Sequence, residues 1–368
     1  PLLSLTSETP YPAKTIRELV LHPRFLDRRS KGYGRIYFHA TEDPREIAEA
    51  HLPEYDGGLG LSHDDVIYEF RTTSPVDKEW TGSMREVMRL RQPGPEHNFG
   101  DLAFDLGGNL FVSTGDGAAP PAEIESEEPP CSRNAASLTS VFGKVLRIDP
   151  ISSGNGHRGY ATPMDNPFFY VAEVAPEIWA SGLRSPYSLH FDRYQGRLLI
   201  LDRIPSQSDS DDRIVLHQSI RGAEHFGWDL IDLATGKRTN HASLDGLITP
   251  PLSAIELPDL SDRTSPGHDL VLYRGERFPA LTGKILIRGT DGSVWIHSTD
   301  RADSSLGREY LSFDLDPGVF VSGLTAAPSG ELVIWTSDGE VYDLVKPDRE
   351  TRSDGRSGAQ LICLVSDI

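Results

Sequence analysis

The strongest constraint on the fold is a unit that recurs along the chain: a short apolar run, a polar turn containing Asp, Ser or Gly, and a second run climbing back out. It reads LAFDLGGNLFVST at Leu102–Thr114, LHFDRYQGRLLILD at Leu189–Asp202 and LTAAPSGELVIWTSDG at Leu324–Gly339. Looser copies are LVLHPRFLDRRSKGYGRIYFHA at Leu19–Ala40 and LTGKILIRGTDGSVWIHS at Leu281–Ser298. Glycine supplies the positive φ of a tight hairpin, and Asp hydrogen-bonds its neighbouring backbone. The copies are unevenly spaced, which excludes a simple solenoid. Hairpins separated by long loops fit a β-propeller, whose blades are small antiparallel sheets. A β-sandwich built from similar hairpins is the competing architecture.

Gly (34) and Pro (27) are spread along the whole chain and punctuate short apolar runs, as expected of an all-β fold. No segment carries a long helical period. The stretches Thr15–Leu21 and Asp43–His51 each offer a helical turn or two. Length alone gives a prior of about two to three domains, but β-rich single domains often exceed that rule, and the 368 residues are read as one domain. Residues 118–130 (AAPPAEIESEEPP) form an acidic, proline-rich loop insertion, and SQSDSDD at 206–212 is a second acidic loop. The tail 346–368 is expected to be irregular.

A hydrophobic fraction of 38% supports a core. Lys and Arg number 36 against 55 Asp and Glu, a net charge of −19. Phosphate recognition needs basic patches, so nucleic acid and anionic membrane are excluded as general partners. No apolar run approaches the roughly 18 residues of a membrane helix. The chain begins at Pro1 without a basic or apolar leader. This fits either a cytosolic protein or one whose targeting segment lies outside this sequence. Cys131 and Cys363 supply neither a disulfide framework nor a cysteine metal cluster; one bridge or two thiols are both compatible. Hydrolase elbows, zinc-helix motifs, P-loops and dinucleotide fingerprints are absent from the sequence.

Six segments in order across about half the chain carry a resemblance: HNFGDLAFDLGGNLFVSTGDG (His97–Gly117), FGKVLRIDP (Phe142–Pro150), YATPMDNPF (Tyr160–Phe168), PEIWASGLRSPYSLHFD (Pro176–Asp192), FGW (Phe226–Trp228) and LYRGERFPALTGKILI (Leu272–Ile287). The chain resembles the glucose/sorbosone dehydrogenase family, with its aldose sugar dehydrogenases and hedgehog-interacting-type propellers. The resemblance implies a six-bladed β-propeller, agreeing with the hairpins. It leaves the N-terminal blade without a clear motif, either partial or completed by a C-terminal strand. It implies pyrroloquinoline quinone (PQQ) and calcium as cofactors, an aldose as substrate, an external electron acceptor, and a periplasmic or extracellular location.

By the same resemblance His97 is the catalytic base, since an imidazole can accept a proton and release it near neutrality. Glu96, just before it, offers a carboxylate to orient the ring. Arg184, in GLRSP, matches an arginine beside the quinone, where a guanidinium stabilises the charge that builds on reduction. Ser185 stands where the family has Asn. Asp116, in STGDG, is a further position near the cofactor mouth. Calcium is expected on the carbonyls of Ile204 and Pro205, where the family usually has a small residue before proline. Asp209, Asp211 and Asp212 either add oxygen donors or form only a solvated acidic turn.

One departure runs against PQQ. Family members that bind it neutralise its three carboxylates with a lysine and closely spaced arginines in the last two blades. Here Leu286–Trp295 offers Arg288 alone, and Val319–Gly330 offers no basic residue. Burying an unpaired trianion is costly. Three readings therefore stand. One is a PQQ- and calcium-dependent dehydrogenase oxidising an anomeric hydroxyl to a lactone. Another is a degenerate propeller that binds carbohydrate or protein without PQQ. The third is a metal-dependent lactonase on a related propeller.

Overall fold

The computed structural model of the protein describes residues 15–44, 63–117, 132–152, 159–205, 212–228, 248–255, 269–289, 292–298, 309–311, 313, 315–327 and 329–343. Regular structure among them is almost entirely β. Strands β1 (Thr15–Leu21), β2 (Arg35–Glu42), β3 (His63–Thr72) and β4 (Gly82–Gln92) form one sheet in chain order. Strands β5 (Phe99–Phe104), β6 (Leu110–Thr114), β7 (Lys144–Ile148) and β8 (Ile178–Ser181) form a second. The short helix α1 (Ser132–Ala136) lies between β6 and β7 in the chain.

A third sheet contains β9 (Pro186–Asp192), β10 (Arg197–Pro205), β11 (Asp212–Ser219) and β12 (Ser253–Ile255). A fourth holds β13 (Leu270–Leu272), β14 (Lys284–Arg288), β15 (Val294–Ser298) and β16 (Glu309–Leu311). A fifth holds β17 (Val321–Ala326), β18 (Leu332–Thr336) and β19 (Val341–Asp343). Each of the five recurring sequence units is an antiparallel hairpin, and each lies in a different sheet: β1–β2, β5–β6, β9–β10, β14–β15 and β17–β18.

The chain divides into two compact units, Pro1–Asp202 with His217–Pro251, and Arg203–Leu216 with Leu252–Ile368. In the first unit, the alternation of β-strand side chains deals the second sheet into two cores. Leu110, Val112, Leu146 and Ile148 pack with Tyr37, Ile67 and Val87 of the first sheet. Phe111 and Val145, pointing the other way, pack with Leu189, Leu198 and Ile200 of the β9–β10 hairpin. Strands β6 and β7 are consequently buried on both faces. Each fully buried aliphatic or aromatic side chain contributes on the order of 1.5–3 kcal/mol. The second unit has its own core, including Val271, Leu286, Val294, Leu324 and Ile334.

Two expectations are corrected. Thr15–Leu21 is strand β1, not a helical turn: its β-branched Thr15, Ile16 and Val20 suit a ladder, and Leu19 and Leu21 pair with Phe38 and Ile36. The N-terminal region also carries a complete four-stranded sheet rather than a fragment. Its motif is hidden because charged side chains occupy interior positions. Arg89, Glu42 and Asp64 are each at most 1% exposed, and Arg89 donates to Asp64 (2.8 Å), Glu42 (2.9 Å) and Glu86 (2.7 Å).

Asp65 is buried in the same sheet and accepts from His39 (3.0 Å), Gln92 (2.8 Å) and the Phe99 amide (3.0 Å). Burial alone would raise its pKa, but the charge and hydrogen bonds of His39 and His63 outweigh that and hold it below the usual carboxylate range. Through the Phe99 amide, Asp65 fixes the first residue of β5, two residues after His97.

The loop 118–130, Cys131, Cys363, Asp209, Asp211, the tail 346–368 and most of Asp43–His51 lie outside the described residues. Among the described residues, no helix is long and apolar enough to cross a membrane.

Candidate active site

The register of the second sheet builds the site. Phe99 on β5 pairs with Thr114 on β6. Two residues further along each strand, on the same face, stand His97 and Asp116. The ladder continues past the strand ends, with the Gly115 amide donating to Asn98 O (2.8 Å) and the Gly117 amide to His97 O (3.3 Å). The chains approach so closely that a Cβ on Gly115 would lie 2.1 Å from His97 O. Only glycine fits there.

His97 Nδ1 lies 2.6 Å from Asp116 Oδ1. A carboxylate accepts, so Nδ1 carries a proton, and in the neutral imidazole Nε2 is the nitrogen left with a lone pair. Trp228 Nε1, which can only donate, holds the other oxygen, Oδ2, at 2.9 Å. The His97 side chain is 13% exposed and that of Asp116 6%. His97 has φ 54°, a left-handed conformation that costs a non-glycine residue of order 1 kcal/mol or more. The surrounding hydrogen bonds hold the ring's backbone in this unfavourable state, as is common for side chains placed for chemistry.

The GLRSP segment closes the site from β8. The Asp116 amide donates to Arg184 O (2.8 Å). The amides of Arg184 and Ser185 donate to Asp202 at 3.0 and 2.7 Å. Asp202 is fully buried at the β10 end of the first unit. Burial pushes its pKa up to about 7, and the nearby Asp116 charge adds to this, against the two amides and the Arg184 charge. The Arg184 guanidinium sits over the Trp228 ring, 5.5 Å from its centroid, a cation–π arrangement. His225, in the same segment as Trp228, is a poor candidate base. Burial, aided by the Lys144 charge, lowers its pKa to about 4, and its Nδ1 accepts the Gly227 amide.

His97, Asp116, Arg184 and Ser185 are thus brought together in the first unit. Glu96 is exposed, and the carboxylate that orients the imidazole is Asp116 instead. The reason is the register, which places residue 116, not the chain neighbour, opposite the ring. Arg288 lies in the second unit, 3% exposed, with Nε donating to Asp269, just before β13, at 2.7 Å, so its charge is matched within that unit. Ile204 is a buried apolar side chain near the end of β10, Pro205 ends that strand, and Asp212 begins β11. Among the described residues, no group of three or more His, Cys, Asp and Glu side chains is arranged to hold a metal.

Trp228, Asp202, Lys144 and Asn134 were not among the sequence candidates. Trp228 and Lys144 lie inside the FGW and FGKVLRIDP segments, and Asp202 ends the LHFDRYQGRLLILD hairpin unit.

Residues 66–343 match the sequence model of the Glucose / Sorbosone dehydrogenase family. The chain belongs to that family. Among its relatives, the HIPL1 protein of Arabidopsis thaliana is 33% identical over 335 residues, covering 80% of this chain and 46% of that protein. An uncharacterized protein of Synechocystis is 26% identical over 74% of this chain and 56% of its own length. This member thus spans about half the length of these curated relatives. The aldose sugar dehydrogenase YliI of Escherichia coli is 23% identical over 77% of this chain and 67% of that one.

A solved glucose dehydrogenase superposes with a TM-score of 0.58 at 20% identity, covering 90% of this chain and 83% of the other. The apo soluble aldose sugar dehydrogenase of E. coli gives 0.56 at 20%, covering 88% and 80%. These show the fold: this family member has the all-β architecture of the propeller sugar dehydrogenases.

Proposed function

We propose that this family member is a sugar dehydrogenase that oxidises the anomeric hydroxyl of an aldose to a lactone, with His97 as general base. The observation that carries the reading is the His97–Asp116–Trp228 chain, which leaves Nε2 as the proton acceptor. When bound, PQQ with calcium would supply the two-electron hydride acceptor, with an external acceptor as the final oxidant. His97 Nε2 takes the hydroxyl proton. Asp116 holds the tautomer and stabilises the imidazolium, as a buried carboxylate does behind other catalytic histidines. General-base catalysis of this kind is worth roughly 10²–10⁴ in rate. Arg184 places its guanidinium charge over the Trp228 ring, whose indole N–H holds Asp116.

These residues fit the quinone end of PQQ. Two cations that could meet its three carboxylates are already engaged, Lys144 by backbone carbonyls and Arg288 by Asp269. The proposal therefore assigns no residue to those groups. A six-bladed propeller formed by the whole chain, calcium on the Ile204 and Pro205 carbonyls, and a periplasmic or extracellular location belong to the same proposal.

The cation shortage favours one second reading, a PQQ-free propeller binding carbohydrate or protein. Relatives named HIPL1 protein and Hedgehog-interacting protein give it context. Titration of the calcium-loaded protein with PQQ, followed by calorimetry and quinone absorbance, separates the two. Stoichiometric binding followed by aldose-driven bleaching supports the dehydrogenase. Absence of binding at high micromolar PQQ overturns it and favours the binding module.

A further inference from the structure

Lys144 is the most deeply buried cation near the site, with no exposed surface. Its ammonium donates to Asn134 O (2.7 Å), Ala135 O (3.0 Å) and Phe142 O (2.7 Å), using all three of its protons. Asn134 and Ala135 belong to the last turn of α1, whose carbonyls have no partner within so short a helix. A cation at a helix C-terminus is also favoured by the peptide dipoles. The lysine thus gathers the end of α1 and the Phe142 turn around one charge.

The same two segments hold the site. Asn134 Nδ2 donates to Asp116 O (3.2 Å), and the Gly143 amide donates to Gly115 O (2.7 Å). The Gly182 amide donates to Ala135 O (2.9 Å), and the Leu183 amide to Gly143 O (3.2 Å), so the GLRSP segment rests on the same platform. At Gly143, with φ 69°, a Cβ would come within 2.7 Å of Ala135, so the platform is packed backbone to backbone. Burial lowers the Lys144 pKa well below its ordinary value, and the Asp116 carboxylate opposes that shift.

We infer that Lys144 is a positioning residue for the His97–Asp116 pair, fixing the Asp116 backbone through Asn134 and the Phe142–Lys144 turn. The inference concerns where Asp116 is held, and it bears on catalysis only through the reading of His97 as the base. A lysine that merely stabilised the fold would leave the Asp116 contacts intact whenever the protein folded.

The test uses the full chain and two reporters of Asp116: the Trp228 indole N–H resonance, and hydrogen exchange of the Asp116 amide, which donates to Arg184 O. Asn134→Ala cuts only the tie from the platform to Asp116. Lys144→Met removes the charge and its three donors at similar length. Tyr160→Phe, which deletes a buried hydrogen bond to Glu177 elsewhere in the same core, serves as the control for general loss of stability.

Asn134→Ala and Lys144→Met are both expected to shift the indole resonance and to speed Asp116 amide exchange by roughly tenfold or more. Tyr160→Phe leaves both reporters unchanged. Either of the first two variants, folded and with both reporters at wild-type values, overturns the inference. If Lys144→Met does not fold, a folded Asn134→Ala with both reporters at wild-type values still overturns the inference, because it removes the tie through which Lys144 would act. Neither reporter depends on PQQ or sugar, so failure of the dehydrogenase reading in the PQQ titration leaves this result standing on its own.

Discussion

The Arg89 network of the first sheet and the Asp116 site of the second both bury charge, and they bury it differently. In the first sheet Arg89 is 1% exposed and meets Glu42, Asp64 and Glu86 along neighbouring strands. Tyr68 donates to the same Glu42, and Arg91 to the same Asp64. Carboxylate and guanidinium saturate one another inside a regular ladder. At the open end of the β5–β6 hairpin, Asp116 is held by His97 and Trp228, and the lone pair on His97 Nε2 faces outward from that pair. The residues there sit on turns, one of them with a left-handed backbone. The comparison teaches that burial of charge is not by itself a mark of function. A closed network locks strands, whereas the His97–Asp116 pair sits at a turn with a left-handed backbone, which is the arrangement the proposed chemistry uses.

The sharpest way to break this comparison is to cut each network at its centre. Asp116→Asn should leave the protein folded while lowering sugar-driven turnover by roughly 10³–10⁴, because an amide no longer enforces the imidazole tautomer. Steady-state reduction of an acceptor dye checks it. Arg89→Met should do the converse. It strands three carboxylates and costs about 3–5 kcal/mol, read as a lower denaturation midpoint, while turnover per folded molecule stays near wild type.

A smaller effect is expected at His217, which is fully buried against Phe226 with neither ring nitrogen hydrogen-bonded. Burial lowers its pKa to about 3. The unfolded imidazole takes up its proton near pH 6.5, so between those values the unfolded chain binds more protons. Stability is therefore full above about pH 6.5 and falls as the pH drops toward 3. His217→Leu should flatten that fall and stabilise the protein by about 1–3 kcal/mol, since two unpaired polar atoms disappear. Urea titrations at a series of pH values measure both. The smallest effect belongs to the exposed end of a pair. Asp165, with a side chain 73% exposed, meets an Arg147 that Asp105 already holds, so Asp165→Asn should cost under about 1 kcal/mol.

Much of this was legible in the sequence, and what was missed has a physical cause. The five hairpin units survive in the structure because turn residues and period-two alternation are local signals. The first sheet was harder to read. Asp64, Asp65, Glu69 and Arg89 occupy interior positions there, and hydrophobic patterning takes such residues for surface. His97, Asp116 and Arg184 were readable through motifs. The partner of the imidazole was assigned to Glu96 because chain proximity is visible in a sequence and strand register is not. Once Phe99 is set opposite Thr114, the His97–Asp116 pairing follows. Lys144 and Asn134 act through backbone carbonyls and amides, and such contacts leave no residue-type signature.

The most direct test of the central claim is rapid mixing of an aldose with calcium- and PQQ-loaded protein, comparing wild type with His97→Asn. Asn tolerates the left-handed backbone at position 97 but cannot take the proton. The account predicts equal PQQ binding by both proteins, prompt bleaching of the quinone in the wild type, and bleaching slower by about 10³ in the variant. Bleaching of the loaded variant at the wild-type rate would contradict the assignment of His97 as the base.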